Sequence, residues 1–514
     1  MSEVRILWAD DEIDLLKPHI IFLEEKGYKV STVTNGADAI DEVKNNHFDL
    51  VFLDENMPGL TGLETLTEIK ELNQQLPIVL ITKNEEEKLM EEAIGSKIAD
   101  YLIKPVNPRQ ILLTIKKLID NKRLVSEKTS SGYQQEFRKF AMSFDENLSH
   151  EEWIELYKKL VYWEIELEGI EDEGMHEILN MQKKEANAQF AKFVSKNYVD
   201  WINSDDKPVM SDNLMAKQVF PNVNENPTFL LVIDNLRYDQ WKIINPIIKR
   251  YFNFKSEAPY YSILPTATQY ARNAIFAGMS PADIEKKHPH LWNNEEDEGG
   301  KNMYEKELLE LQVKARVPNL SNSYVKITNH EHGKALADSI YDLMRFDLNV
   351  IVYNFVDMLS HARTEMEVIR ELASDEAAYR SITKSWMEHS PLLDILKKLS
   401  EKKINLMVTT DHGTIRVKKP IKVVGDRNTS TNLRYKTGKS LNYNKNDVFA
   451  VTNPSDIKLP KQHMTSSFIF AQAEDYLVYP NNYNHFVNYY KDSFQHGGLS
   501  LEEVIIPFAI YESK

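Results

Sequence analysis

At 514 residues the chain exceeds the roughly 250–300 residues at which one hydrophobic core stops growing, so two or three domains are expected. Its 42% hydrophobic and 10% aromatic content is globular, with no run near the ~18–20 apolar residues of a membrane span; no signal peptide is read at the N-terminus, and a cytoplasmic location is expected. Zero cysteines exclude disulfides, thiolate metal sites and a cysteine-derived nucleophile, and a formal charge of −16 argues against wholesale nucleic-acid wrapping.

Residues 1–120 alternate short apolar runs (VRILWA, YKVSTV, DLVFLD, PIVLIT) with helix-period stretches, the pattern of βα units on a parallel sheet. Functional groups of such sheets collect at the carboxyl ends of the strands, and here those ends carry Asp10, Asp11, Asp54, Thr82 and Lys104. Crowded carboxylates need a hard cation between them, which suits Mg²⁺, while a lysine and a hydroxyl suit an incoming phosphoryl group. Together with the run DLVFLDENMPGLTGLE and the later DYLIKP, these residues resemble two-component receiver domains. The resemblance implies a doubly wound fold, Asp54 as phosphate acceptor, Mg²⁺ held by Asp10, Asp11 and Asp54, phosphate sensing by Thr82 and Lys104, and Tyr101 as the switch aromatic.

Residues 121–210 shift to long polar–apolar stretches almost free of Gly and Pro. Trp153, Leu156, Tyr157, Leu160 and Val161 recur at helical spacing, so a central helical bundle is expected as a connector without chemistry of its own.

A second α/β domain is expected over 211–514. Three apolar runs, TFLLVID, NVIVYNFVD and INLMVTTD, end in Asp234, Asp357 and Asp411; His361 follows at i+4, His412 follows directly, and His496 stands in QHGG. Carboxylates with imidazoles and no thiolates suit Zn²⁺ or Mn²⁺ better than Ca²⁺. The turn PTAT sets Thr266 or Thr268 at a helix N-terminus, where a hydroxyl is a candidate nucleophile once a divalent cation lowers its pKa. Arg272 and Asn273, just beyond, are expected to orient substrate. Residues 414–446 hold nine Lys or Arg and one acidic residue, a basic segment read as a flap able to clamp phosphates.

The ordered set of strand-end Asp, PTAT, DxxxH, DHG and late HGG resembles the alkaline phosphatase superfamily, and more narrowly its PglZ-type domain. That resemblance implies one metal site of Asp357, His361 and His496, another of Asp234, Thr268, Asp411 and His412, two Zn²⁺ ions, and Thr268 as nucleophile toward phosphodiesters of nucleotides or oligonucleotides. A receiver followed by such a domain is similar to PorX-type response regulators, linked to type IX secretion. This implies a sensor histidine kinase, contact with a sigma factor or secretion component, and a homodimer on phosphorylation. A metal-containing binding module without catalysis is the alternative. No helix-turn-helix pattern is present, so direct duplex DNA binding is not expected.

Overall fold

The computed structural model describes residues 4–74, 76–83, 98–120, 133, 148–168, 173–295, 297, 299–373, 375–425 and 429–514, without the side chains of residues 120, 173, 361–365, 367 and 368. The chain divides into two units, Met1–Gln134 and Gln135–Lys514.

In the first unit, β1 (Arg5–Ala9), β2 (Lys29–Val33), β3 (Leu50–Asp54), β4 (Ile78–Thr82) and β5 (Asp100–Ile103) form one parallel sheet of order β2-β1-β3-β4-β5. The central strands β3 and β4 are buried throughout, as expected where both faces of a parallel sheet are covered. One face packs Leu7, Val51, Leu53 and Leu80 beneath the helices Gly36–Asn45 and Gly62–Leu72. The other packs Ile6, Trp8, Phe52 and Ile81 beneath Lys17–Glu25 and Pro108–Ile115. Each strand therefore sends alternate side chains into opposite cores and delivers its last residue to one rim.

The second unit is built on β6 (Thr228–Ile233), β7 (Phe252–Glu257), a short β8 (Tyr260–Tyr261), β9 (Asn322–Ile327), β10 (Leu348–Tyr353) and β11 (Asn405–Thr409). Its main sheet runs in the order β7, Phe508–Ser513, β11, β6, β10, β9, with β9, β10, β6 and β11 parallel and Phe508–Ser513 antiparallel to β11. Strands β11, β6 and β10 are adjacent and entirely buried, so the loops following them open side by side. A smaller lobe of short strands, including Lys419–Lys422, Tyr435–Gly438, Ser467–Ala471 and Asp475–Val478, is inserted between β11 and the C-terminal strand.

Two features add to the sequence reading. The helices His150–Leu167 and Glu173–Asn203 belong to the same unit as the large sheet. The expected stripe is buried, with Tyr157 packed on Tyr238 and Trp153 on Phe190 and Phe193. Asn187 Nδ2 donates to Glu502 Oε2 at 3.0 Å, and the Leu264 amide donates to Tyr198 Oη at 2.7 Å. The expected helical middle is present, and its helices pack on the body that carries the site.

The basic segment is no free flap. Arg434 is fully buried and grips Glu503 at 2.6 Å, Arg416 pairs with Asp492 at 3.2 Å, and Lys418 pairs with Glu474 at 2.5 Å. Four of its eight described cations, Arg416, Lys418, Lys419 and Arg434, pair with carboxylates that lie 56–76 residues downstream.

Candidate functional site

In the first unit the ends of β1, β3, β4 and β5 bring together Asp10, Asp54, Thr82 and Lys104. Lys104 Nζ stands 2.9 Å from Asp10 Oδ2 and 2.9 Å from Asp54 Oδ2. Asp10, Asp54 and Thr82 are buried, and Tyr101 is 37% exposed. Burial raises the Asp54 carboxyl above its ordinary range against the opposing Lys104 hydrogen bond. Burial also disfavours the Lys104 ammonium, but its hydrogen bonds to the two aspartates outweigh this and leave its pKa above the usual lysine value. Asp10, Asp11 and Glu12 each offer a carboxylate oxygen within 4.8 Å of the others. Asp54 Oδ1 is buried with no hydrogen-bond partner among the described residues. This all-oxygen donor set and the orphaned carboxylate oxygen fit a hard divalent cation of the Mg²⁺ class. Glu12 was not anticipated, although it stands beside the acidic pair; it also pairs with Lys83 at 3.0 Å.

In the second unit Asp234 follows β6 and Asp411 and His412 follow β11, each almost fully buried. Each of the three offers a ligand atom within 4.8 Å of the others. Thr268 opens the helix Thr268–Ala277, and its Oγ1 lies 3.1 Å from His412 Nε2 and 3.4 Å from Asp234 Oδ1. The His412 ring stacks on His496, centroids 4.3 Å apart, and His496 Nε2 stands 3.9 Å from Asp357 Oδ1. The side chain of His361 lies outside the described residues.

The two imidazoles share a hydrogen-bonding logic. His496 Nδ1 faces the Thr266 carbonyl at 3.1 Å and His412 Nδ1 faces the Gly413 carbonyl at 3.3 Å. A carbonyl only accepts, so Nδ1 carries the proton in each ring and Nε2 is left with its lone pair turned toward the site. Ligating histidines are commonly held in this way, with the remote N–H given to a carbonyl. Asp411 Oδ2 is buried without a hydrogen-bond partner among the described residues. Two carboxylates, an imidazole lone pair and a hydroxyl, with one orphaned carboxylate oxygen, fit a divalent cation of the Zn²⁺ or Mn²⁺ class.

The supporting residues explain much of the motif. Asn235 takes the left-handed conformation, φ 63°, which lets its Nδ2 donate to Asp357 Oδ1 at 3.2 Å and links two of the strand ends. A Cβ at Gly413 would come within 2.1 Å of the Glu502 carbonyl oxygen, so the residue after His412 must lack a side chain. At the far end of the Thr268 helix, Gly278 has φ +61° and a Cβ there would meet the Gln312 side-chain amide at 2.0 Å. Gly278→Ala is expected to lower the stability of this unit by ~1–2 kcal/mol, read as a reduced urea midpoint.

The candidate Thr266 and the two expected substrate-orienting residues are placed otherwise. Thr266 is fully buried, its Oγ1 donating to the Gly498 carbonyl and accepting from the Gly497 amide, each at 3.0 Å. Arg272 is also fully buried and pairs with Asp234 Oδ2 at 2.7 Å and Glu305 Oε1 at 2.6 Å. Burial pushes the Asp234 carboxyl up despite the neighbouring Arg272 charge. Asn273 Nδ2 donates to the Gln269 and Lys301 carbonyls at 2.8 and 3.0 Å. Both of the latter side chains meet protein partners, because every residue of this helix after Thr268 is buried; Arg272, one turn on from Thr268, lies on the same face and reaches the same carboxylate.

A buried aspartate beside a lysine at the rim of a doubly wound sheet, and a hydroxyl amid carboxylates and imidazoles in a second body, define a phospho-receiver with an alkaline-phosphatase-like domain. Family models match both, and the segment between them: a response regulator receiver domain over residues 6–116, the PorX response regulator linker domain over 123–202, and the BREX system PglZ alkaline phosphatase-like domain over 214–511. The chain belongs to the PglZ alkaline phosphatase-like family and, by the order of its three matches, is a PorX-type response regulator.

Among curated relatives, the transcriptional regulatory protein ZraR of Klebsiella oxytoca is 35% identical over 123 residues, 24% of this chain and 28% of the relative. The transcriptional regulatory protein ResD of Bacillus subtilis is 32% identical over 118 residues, 23% of this chain and 49% of the relative. The matches thus span half or less of these relatives' own lengths. A CheY-like receiver domain protein of Methanospirillum hungatei matches in structure with 27% identity and a TM-score of 0.23, covering 24% of this chain and 98% of its own. No helix among the described residues is long and apolar enough to cross a membrane.

Proposed function

We propose that the second unit is a metal-dependent phosphodiesterase with Thr268 as nucleophile, acting on nucleotide or oligonucleotide phosphodiesters and governed by phosphorylation of Asp54. The observation that carries the reading is the Thr268 hydroxyl, 3.1 Å from a His412 Nε2 whose other nitrogen is tied to a carbonyl. Asp234, Asp411, His412 and Thr268 would hold one divalent ion; Asp357, His496 and His361 would contribute to a second. When bound, such ions lower the pKa of the attacking hydroxyl and neutralise charge on the phosphoryl oxygens.

The chain's own residues do the rest. The first amides of the Thr268–Ala277 helix favour an anion beside the nucleophile. Arg272, held by Glu305 from behind, fixes Asp234 and offsets its charge. The Thr268 oxygen forms a bond to phosphorus as one ester oxygen leaves with the proton that the hydroxyl gives up; water then adds its hydroxide to phosphorus and returns its other proton to the Thr268 oxygen as that bond breaks, releasing a phosphomonoester. The reading is tested by loading purified protein with Zn²⁺ or Mn²⁺ and following bis(p-nitrophenyl) phosphate hydrolysis. Stoichiometric metal without turnover on this or a dinucleotide would favour the binding-module alternative.

The family relationship supports a sensor histidine kinase as the donor of phosphate and a role in type IX secretion. Asp54→Asn should abolish phosphate incorporation from acetyl phosphate, read by intact mass. A beryllofluoride-loaded receiver should raise the scattering mass toward a dimer and change the diesterase rate, since added charge at Asp54 alters the packing of Lys104 and Thr82. If neither quantity moves, this coupling is wrong.

A further inference from the structure

The small lobe of the second unit carries a half-open cavity of about 510 Å³, within the range of small-molecule sites. Leu433, Leu477, Phe486 and Tyr490 line it with apolar and aromatic surface, and Lys436 reaches it from the strand Tyr435–Gly438. Successive strand residues point to opposite faces. Tyr435 lies against Gly497 and Tyr270, beside the Thr268 site, so Lys436 projects to the other side.

Lys436 is only 1% exposed. Among the described residues no carboxylate stands within 4.0 Å of its Nζ and no hydrogen-bond acceptor meets it; the ammonium instead sits 4.4 Å from the Tyr479 ring centroid. The Tyr479 hydroxyl is fixed by donating to the Ser430 carbonyl at 2.8 Å. Burial pulls the Lys436 pKa down to about 7. A buried ammonium with no counter-ion among the described residues is an unfavourable arrangement that a bound anion relieves, and the adjoining rings offer flat surfaces to an apolar body. One cation calls for one negative charge.

We infer that this cavity binds a small organic monoanion, its acidic head paired with Lys436 and a flat apolar body lodged against Leu477, Phe486 and Tyr490. The site is independent of the phosphodiesterase reading, because it lies on the opposite face of the strand from Tyr435 and uses none of the Thr268 residues.

The test uses the full-length protein and 8-anilinonaphthalene-1-sulfonate, an aromatic monoanion whose fluorescence rises in apolar surroundings. Saturable one-to-one binding is expected, weakened at least tenfold in Lys436→Met and unchanged in Lys439→Met, which alters an exposed lysine of the same segment. Absent saturable binding, or equal affinity in Lys436→Met protein that melts like the wild type, overturns the inference. Should Lys436→Met not fold, wild-type protein is labelled at pH 7 with 2,4,6-trinitrobenzenesulfonate, which reacts with neutral amines, and mapped by mass spectrometry. Lys436 should be modified ahead of the exposed lysines and be protected at least tenfold by the first sulfonate; labelling no faster than theirs, or without protection, overturns it.

Discussion

Thr268→Ala is expected to lower phosphodiester turnover at least ~10³-fold while leaving metal content at the wild-type level, measured by steady-state hydrolysis alongside elemental analysis. Three other groups of the proposed ligand set, Asp234, Asp411 and His412, remain in place, so the metal should stay while the attacking oxygen is lost. Thr268→Ser restores a hydroxyl on the same helix turn and should recover much of the rate. Thr266→Val provides the contrast. It removes the bridge between the Gly498 carbonyl and the Gly497 amide, both buried, and should reduce thermal stability. Wild-type turnover in metal-loaded Thr268→Ala protein would exclude Thr268 as the nucleophile.

The largest stability loss is expected at Arg380. This side chain, 3% exposed, contacts Glu164 at 2.7 Å, Asp239 at 2.9 Å and Glu168 at 3.2 Å, while Arg237 holds Asp239 from the other side at 2.5 Å. Removing one partner from a buried ionic group leaves charge without compensation, so Arg380→Met should cost about 3–5 kcal/mol in urea unfolding of this unit. Burial alone would raise the Asp239 carboxyl, yet the charges and hydrogen bonds of Arg237 and Arg380 hold it well below the usual range. A depressed carboxyl contributes stability that is present above its unfolded pKa of about 4 and is lost as pH falls through the folded value. Arg380→Met should therefore flatten the loss of stability seen on acidification below about pH 4. An unchanged urea midpoint and acid profile would mean that the cluster contributes nothing net.

Both sheets and the groups on their rims were legible because short continuous apolar runs closed by a polar group report a strand buried on both faces and its terminus at once. Asp10, Asp54, Lys104, Asp234, Asp411 and His412 all follow from that pattern. What escaped the sequence was pairing over distance. The window 414–446 looks uncompensated because Glu474, Asp475, Asp492 and Glu503 lie beyond it, and only folding brings Arg434 to Glu503. Arg272 and Asn273 follow the nucleophile in sequence, but the helix that carries them is buried on all sides after Thr268, so protein groups take up their hydrogen bonds. Asn235 and Glu12 carried faint signals: a residue tolerant of positive φ straight after a strand-end aspartate, and a third acid in the run DDE.

The contacts made by Tyr198 and Asn187 also set where this protein can be cut. Severing the chain at residue 211 would deprive the Leu264 and Leu501 amides of their acceptors, each a buried donor whose loss costs ~1–3 kcal/mol, and would lay bare Tyr261, on which Phe190 and Trp201 now pack. An effector transplanted onto a foreign sensor as a portable cassette must therefore carry residues 148–203 with it. In engineering terms the helices travel with the enzyme-like half as part of its chassis, and the usable splice point lies ahead of Leu148.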